Sequence, residues 1–259
     1  GMGSKPLRLG LISLWLAVLW GLAMALARSE REGMLADFST SLEGRTPMQR
    51  HNARLAALRL DGWVIPPGGE FSFNRAVGPF TRDRGFKRAP VSFSGEILLA
   101  PGGGVCQVSS TLYNAALLAG MEILERWPHV WAPRYIPPGR DAAVAYGLAD
   151  LRFRNPYGES VRLRCWVEGQ RLRCRLLSKA HPSAVHGVVS EVCEVLPTVP
   201  VVNFRRTGWE GGPWRRCPGW PGFRVRTYRL IRRGVQVEKE WLSEDVYSSM
   251  SAVVEVGVE

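Results

Sequence analysis

Pro101-Gly102-Gly103-Gly104-Val105-Cys106-Gln107-Val108-Ser109-Ser110-Thr111 is the stretch from which the rest of the chain is read. Glycines disfavour a helix because they surrender the most backbone freedom on folding. Directly after them Leu112, Ala115, Ala116, Leu118, Ala119 and Ile123 recur at helical spacing. That pattern predicts a helix over 107–124 with Cys106 at its mouth. The first turn of a helix carries free N–H groups and a partial positive charge, and both favour a thiolate over a thiol. Glycines also let a substrate carbonyl approach the backbone, so the N–H groups of Gly103 and Gly104 are candidate oxyanion donors. Gln107 adds a candidate side-chain donor and Ser109 a candidate substrate contact. A cysteine after glycines is also what a small buried packing residue looks like.

Downstream, His129 stands at the head of a segment that reads as strands over 130–136 and 142–153. Asp141 and Asp150 follow, and Cys–His–Asp is the chain order used by papain- and transglutaminase-like thiol enzymes. Asp150 is the first candidate to orient the imidazole, on a strand expected beside His129. Asp141 is the second, though its neighbour Arg140 offers it a plain ion pair. His51, His181 and His186 stand in contexts without chemistry.

The five cysteines sharpen this reading. No pair has C-x-x-C spacing and the histidines are scattered, so neither a metal site nor a cofactor is expected. Residues 161–177 alternate about Glu168-Gly169-Gln170, the pattern of a β-hairpin. A two-residue turn at Gly169-Gln170 sets Cys165 opposite Cys174, with Cα atoms about 4.5 Å apart and within disulfide range. Cys193 and Cys217 are candidates for a second bridge, which leaves Cys106 as the odd thiol.

Upstream, Thr46-Pro47-Met48-Gln49 is a helix start, with Thr as N-cap, Pro in the first turn and Gln as the reciprocal cap. That helix is expected to reach Leu60 with Leu55 and Leu58 inward. Short strands are expected at 71–73 and over 91–100, the latter interrupted by Ser94-Gly95. Still further upstream, Lys5 and Arg8 precede an uncharged apolar run over 9–27 that ends Ala25-Leu26-Ala27. It is long enough to approach the roughly 30 Å hydrocarbon core and carries a cleavable ending, so residues 1–27 are expected to be a signal peptide or a membrane anchor. Either way the remainder is exported. The expected organisation is α+β: a linker over 28–37, a mixed helix/strand domain over 38–183 and a small β-rich module over 184–259.

The 259 residues are 46% hydrophobic, which excludes a disordered chain, and the 28 Gly and 18 Pro follow no period, which excludes collagen-like and repeat folds. The net charge is +11, or +9 without the leader. Nucleic acid is the usual partner of such a charge. Export and the lack of a basic helix or RNA-binding aromatic motif argue against it here, and an anionic wall polymer or membrane surface suits the charge better.

Phe71-Ser72-Phe73-Asn74, Val77-Gly78-Pro79, Gly85-Phe86, Ala89-Pro90-Val91 and the run from Gly102 to Ala116 resemble the VanW family. Pro138-Gly139-Arg140-Asp141-Ala142, Gly147 and Asp150-Leu151-Arg152-Phe153-Arg154-Asn155 continue the resemblance, which covers about 38–178. It implies a cell-wall protein acting on peptidoglycan stem peptides, with L,D-transpeptidase activity and Cys106 as nucleophile. Relatives often carry His-Pro-His-Ser where this chain has Trp127-Pro128-His129-Val130, which leaves His129 as the segment's candidate base. A cysteine carboxypeptidase or amidase on the same substrates, and a non-catalytic wall-binding module, remain open beside it. The last segment carries Tyr228 and Glu244-Asp245-Val246-Tyr247 and resembles the small glycine-containing β modules that accompany the family. Trp209, Trp214 and Trp220 are candidates for stacking on sugar rings or for packing a small core.

Overall fold

The computed structural model describes residues 31–93, 96–206 and 214–258. In chain order its elements are β1 (Gly33–Ser41), α1 (Pro47–Leu60), β2 (Val64–Ile65), β3 (Glu70–Ser72), α2 (Phe73–Val77), β4 (Arg88–Phe93), β5 (Glu96–Pro101) and α3 (Val105–Leu118). Then follow β6 (Glu122–Glu125), β7 (Arg152–Arg154), β8 (Val161–Glu168), β9 (Arg171–Ser178) and β10 (Val185–Leu196). β11 (Pro200–Arg206), β12 (Trp214–Cys217), β13 (Gly222–Arg233), β14 (Gln236–Tyr247) and β15 (Ala252–Val258) complete the chain. The architecture is mixed and strand-rich.

α1 begins as its sequence dictates. The Gln49 N–H donates to the Thr46 hydroxyl at 3.2 Å, and the Thr46 N–H donates to the Gln49 amide oxygen at 3.0 Å. Its inner face keeps one expected leucine, Leu55, which packs against the core, but Leu58 is 69% exposed, and Ala53, Ala56, Ala57 and Leu60 are buried instead. Small side chains suit that face because α1 packs closely on α3. α3 is buried along nearly its whole length. It ends at Leu118, six residues short of the expected 124, because Gly120 turns the chain at φ +80° and β6 begins at Glu122.

The main sheet has the order β1-β9-β8-β2, and α3 lies against its β1–β9 part. β1 pairs with β9 from Gly33 onward, so half of the segment expected to be a linker, 28–37, belongs to the folded unit. β8 and β9 form the hairpin expected over 161–177, with Cys165 opposite Cys174. A second sheet has the order β3-β7-β6, and the β4–β5 hairpin leads into α3.

Most of the strand content expected over 130–136 and 142–153 is absent: only β7 forms, and the rest is irregular loop. Pro133, Pro137 and Pro138 remove ladder donors there. The N–H groups of Ala142 and Ala143 are held instead by the Ser110 hydroxyl and the Trp127 carbonyl.

The carboxy-terminal module is built of the sheets β10-β13-β14 and β11-β15-β12. Its β13–β14 hairpin turns at Gly234-Val235. The module is anchored on the first domain through buried polar groups. Arg229 donates to the Leu117 and Met121 carbonyls at 3.3 and 2.7 Å while paired with Glu240. A cation there meets the negative dipole end of α3, whose last turn has no basic residue of its own. The Thr227 hydroxyl donates to the Gly139 carbonyl at 3.1 Å.

The expected leader, 1–27, lies outside the described residues. Among the described residues no helix is long and apolar enough to cross a membrane.

Candidate active site

Cys106 is the second residue of α3, and the glycines before it serve a tight approach. Gly104 holds φ +102°, and a Cβ there would lie 2.3 Å from the Gln49 carbonyl oxygen. A Cβ on Gly103 would lie 2.4 Å from the Pro90 carbonyl oxygen. Only glycine therefore lets the mouth of α3 press against α1 and β4. Asn52 fastens the contact by donating to the carbonyls of Gly103 and Lys87 at 2.9 and 2.8 Å.

The Cys106 sulfur lies 3.4 Å from both the N–H and the carbonyl oxygen of Val144. His129 approaches it from the loop after β6, within reach of a side-chain hydrogen bond. Nδ1 of His129 is 2.6 Å from Oδ2 of Asp141, which also accepts the His129 backbone N–H at 2.8 Å. With Nδ1 engaged, Nε2 is left for the thiol. Asp141 is fully buried, and its other oxygen accepts from Tyr247 at 2.5 Å and from Arg126 at 3.2 Å. Arg126 is in turn paired with Asp245 at 2.7 Å. The triad-like line Cys106–His129–Asp141 thus has its far end held by two residues of the carboxy-terminal module, Tyr247 and, through Arg126, Asp245.

The electrostatics follow from this arrangement. Burial pushes the Cys106 thiol up, but the His129 hydrogen bond and charge, with the Val144 N–H, outweigh it and leave the thiol below its ordinary value. Burial alone would lower His129, yet Asp141 and the Cys106 sulfur raise it to about 10. Burial raises Asp141, and the His129, Arg126 and Tyr247 contacts more than reverse that. The favoured state is a thiolate–imidazolium pair backed by a carboxylate, the arrangement that activates a cysteine nucleophile.

Two cavities meet at Cys106 and His129. One, of about 620 Å³, is bordered by Arg45, Trp131, Arg134, Tyr135, Trp220 and Met250. The other, of about 610 Å³, is more apolar and is bordered by Phe80, Leu98, Val105, Val130, Val144 and Tyr146. Val91 and Ser92 of β4 border both, so the β4–β5 hairpin stands between them.

Several expected site residues are elsewhere. Asp150 does not meet His129: its carboxylate accepts from the Ser72 hydroxyl at 2.5 Å and the Asn74 N–H at 2.9 Å, fixing the start of α2. Gln107 is not an oxyanion donor but points inward, donating to the Ser41 carbonyl at 2.7 Å and the Thr40 hydroxyl at 3.0 Å. Ser109 is fully buried and donates to the Ala142 carbonyl at 2.6 Å, tying the Asp141 loop to α3 rather than touching a substrate. Gly104 borders the first cavity, whereas Gly103 is packed behind it.

Cys165 and Cys174 face each other as expected, but as two thiols 3.1 Å apart and not as a bridge. Cys193 is an exposed free thiol. The side chain of its expected partner Cys217 lies outside the described residues, as do those of Trp209 and Trp214. Trp220 borders the first cavity, with the Arg134 guanidinium 4.3 Å from its ring centroid.

Sequence reasoning missed Arg45, Arg126 and Tyr135. It singled out Glu244–Tyr247 without assigning Tyr247 to the site. Arg45 had one legible signal, its place directly before the N-cap Thr46, which fixes its backbone at the mouth of α1.

The family model described as VanW like protein matches residues 48–177, a span that contains Cys106, His129 and Asp141 but not Asp245 or Tyr247. The uncharacterized protein YoaR of Bacillus subtilis is 42% identical over 130 residues, which are 50% of this chain and 43% of that protein. The vancomycin B-type resistance protein VanW of Enterococcus faecalis is 28% identical over 145 residues, 54% of this chain and 52% of that one. The chain thus spans about half the length of the curated relatives it matches. Among solved structures, an IgA1 protease G5 domain is 16% identical with a TM-score of 0.21, covering 30% of this chain and 96% of its own.

Proposed function

This chain belongs to the VanW-like protein family, and from that premise we propose that it is an exported thiol acyltransferase acting on peptidoglycan stem peptides. The observation that carries the reading is the Cys106–His129–Asp141 line at the junction of two cavities. A nucleophile reached from two sides suits a reaction with a donor and an acceptor, and the leader-like segment 1–27 suits a site outside the membrane.

In the proposed reaction the Cys106 thiolate attacks the carbonyl carbon of the third residue of a donor stem peptide. The tetrahedral intermediate collapses by breaking the amide bond to the terminal D-Ala, whose nitrogen takes the proton from the His129 imidazolium. D-Ala leaves and a thioester remains on Cys106. An amine of a second stem peptide, deprotonated by His129, then attacks the thioester carbonyl. Its collapse forms the cross-linking amide and restores the thiolate beside the imidazolium. Asp141 stays ionised throughout and holds the ring in the orientation that serves both proton transfers. The N–H groups at the mouth of α3 supply positive charge to the developing oxyanion.

The test is incubation with a disaccharide tetrapeptide, with products read by mass spectrometry. The expected product is a dimer lighter by one D-Ala, absent with Cys106→Ser while the circular dichroism spectrum is unchanged. Shortened monomers alone would make the protein a carboxypeptidase with water as acceptor. Wall binding without any product, unaltered by Cys106→Ser, would replace the enzyme with a binding module.

A further inference from the structure

The first cavity contains two arginines whose guanidinium groups make no ion pair among the described residues. Arg45 is half-buried, with its Cζ 5.5 Å from the Tyr135 ring centroid, and its Nε is buried without a hydrogen-bond partner. The more exposed Arg134 lies over the Trp220 ring at 4.3 Å. Elsewhere buried and half-buried arginines of this chain are neutralised by neighbours, as Arg126, Arg173, Arg175 and Arg229 show. The cavity keeps its two unpaired, and the acid on its border, Glu43, is exposed and makes no ion pair among the described residues.

A guanidinium with a buried, unused donor is costly unless something completes it. Stacking on an aromatic face holds such a group flat and leaves its edge of donors directed away from the ring. That is the geometry that receives a carboxylate through two parallel N–H···O bonds. Arg45 is also near enough to Cys106 for the sulfur's charge to act on it, and burial lowers its pKa against that pull.

From these observations we propose that the cavity bounded by Arg45, Tyr135, Arg134 and Trp220 is a carboxylate subsite, with Arg45 as its main anchor and Arg134 as a second, outer cation. The class of ligand is a peptide bearing a free carboxylate within a residue or two of the bond that Cys106 attacks. The inference rests on the acyl-transfer reading for its substrate, but the anion site itself does not. Arg45 fixes the end of the chain, so that the carbonyl one residue in falls over the sulfur. The more apolar second cavity is left for the partner strand.

The site is tested on the whole protein by alkylating Cys106 with iodoacetate and with iodoacetamide, reagents that differ in carrying a carboxylate or a neutral amide. Peptide mapping separates Cys106 from Cys193. The ratio of the two rates cancels any change in the nucleophilicity of the sulfur itself. A ratio about tenfold above that of N-acetylcysteine is expected, the size of one charge-assisted contact. Arg45→Gln is expected to remove most of that excess, Arg134→Gln to reduce it less, and Arg45→Lys to keep part of it because the charge remains but the fork is lost. An unchanged ratio in Arg45→Gln, with Arg45→Lys folded and equally unaffected, would overturn the proposal.

A disaccharide tetrapeptide and its carboxy-terminal amide, used as protectants against iodoacetamide, separate the two levels of the reading. Protection by the acid at about tenfold lower concentration than the amide, lost in Arg45→Gln, supports both. A raised iodoacetate ratio with no protection by either peptide keeps the carboxylate subsite and rejects the stem peptide as its ligand.

Discussion

Cys106 and Cys174 belong to the same folded unit, and burial pushes both thiols upward, yet they end on opposite sides of an ordinary cysteine. At Cys174 burial is reinforced by the neighbouring Cys165 thiol and by the negative charge of Asp37, so the thiol stays protonated well into alkaline pH. At Cys106 the imidazolium of His129 overrides burial and favours the thiolate. The decisive variable is therefore what each sulfur faces, not how deep it lies. A hairpin register puts two like groups face to face. A loop anchored by a buried carboxylate puts a cation in front of the other sulfur.

The largest effect expected from this contrast is in labelling. With reductant present, iodoacetamide at neutral pH should modify Cys106 rapidly and the exposed Cys193 at the pace of an ordinary thiol. Cys165 and Cys174 should react only through opening of the fold, about a thousandfold more slowly or slower still. Peptide mapping against time checks this. Equal rates at Cys106 and Cys193 would remove the contrast, because the first sulfur would then have no activating partner.

Much of the contrast is legible in the sequence, and the limits are instructive. The Thr46–Gln49 capping box, the Cys165/Cys174 register and the helix after the glycines are local, set by residues within a few positions of one another. The choice between Asp141 and Asp150 is not. Both carboxylates follow His129 and each precedes a buried apolar stretch. What separates them is that Ser72 and Asn74, more than seventy residues upstream, use Asp150 to start α2. Gln107 directly follows Cys106, but at about 100° per residue a helix turns it onto another face, and Ser109, three residues on and on the face of Cys106, is covered by the loop that bears Asp141. The face that Gln107 takes is buried against β1. Nothing local connects Tyr247 to a carboxylate 106 residues earlier.

A smaller but more diagnostic effect is the pH dependence of Cys106 alkylation. The rate should rise through a pKa below the ordinary thiol range and stay level while the imidazolium persists, until His129 loses its proton at about 10. The sign is fixed by the pair: each partner's charge stabilises the other's, so the sulfur titrates low and the ring titrates high. Asp141→Asn removes the charge behind the ring, which should lower the His129 value, and the weakened imidazolium should raise Cys106 by more than the lost repulsion of Asp141 lowers it. Alkylation at pH 6 should then fall by about ten- to a hundredfold, one to two pKa units, while the rate at pH 9 changes little. Equal losses at both pH values would mean that the substitution had displaced the sulfur rather than retuned it.

The smallest effect tests whether the carboxy-terminal module belongs to the site. Tyr247 donates to Oδ1 of Asp141 and accepts the Gly139 N–H at 2.9 Å, so it holds both the triad carboxylate and the loop that bears it. Tyr247→Phe keeps the ring and its packing against Ala132 and Val225 while removing those two contacts. Arg126 still pairs with Asp141, so the loss should be at the low end for a hydrogen bond to a charged group, about 1.5 kcal/mol. On kcat of the proposed reaction that is about a tenfold fall, with KM nearly unchanged because the two cavities are intact. A purely structural tyrosine would lower the melting temperature and leave the acid limb of the Cys106 alkylation profile in place. A positioning tyrosine should also move that limb upward, because an Asp141 held less well supports less charge on His129. The reverse pattern, a lower melting temperature with an unmoved limb, would reduce the module to a scaffold. The reactive sulfur would then owe its character to the first domain alone.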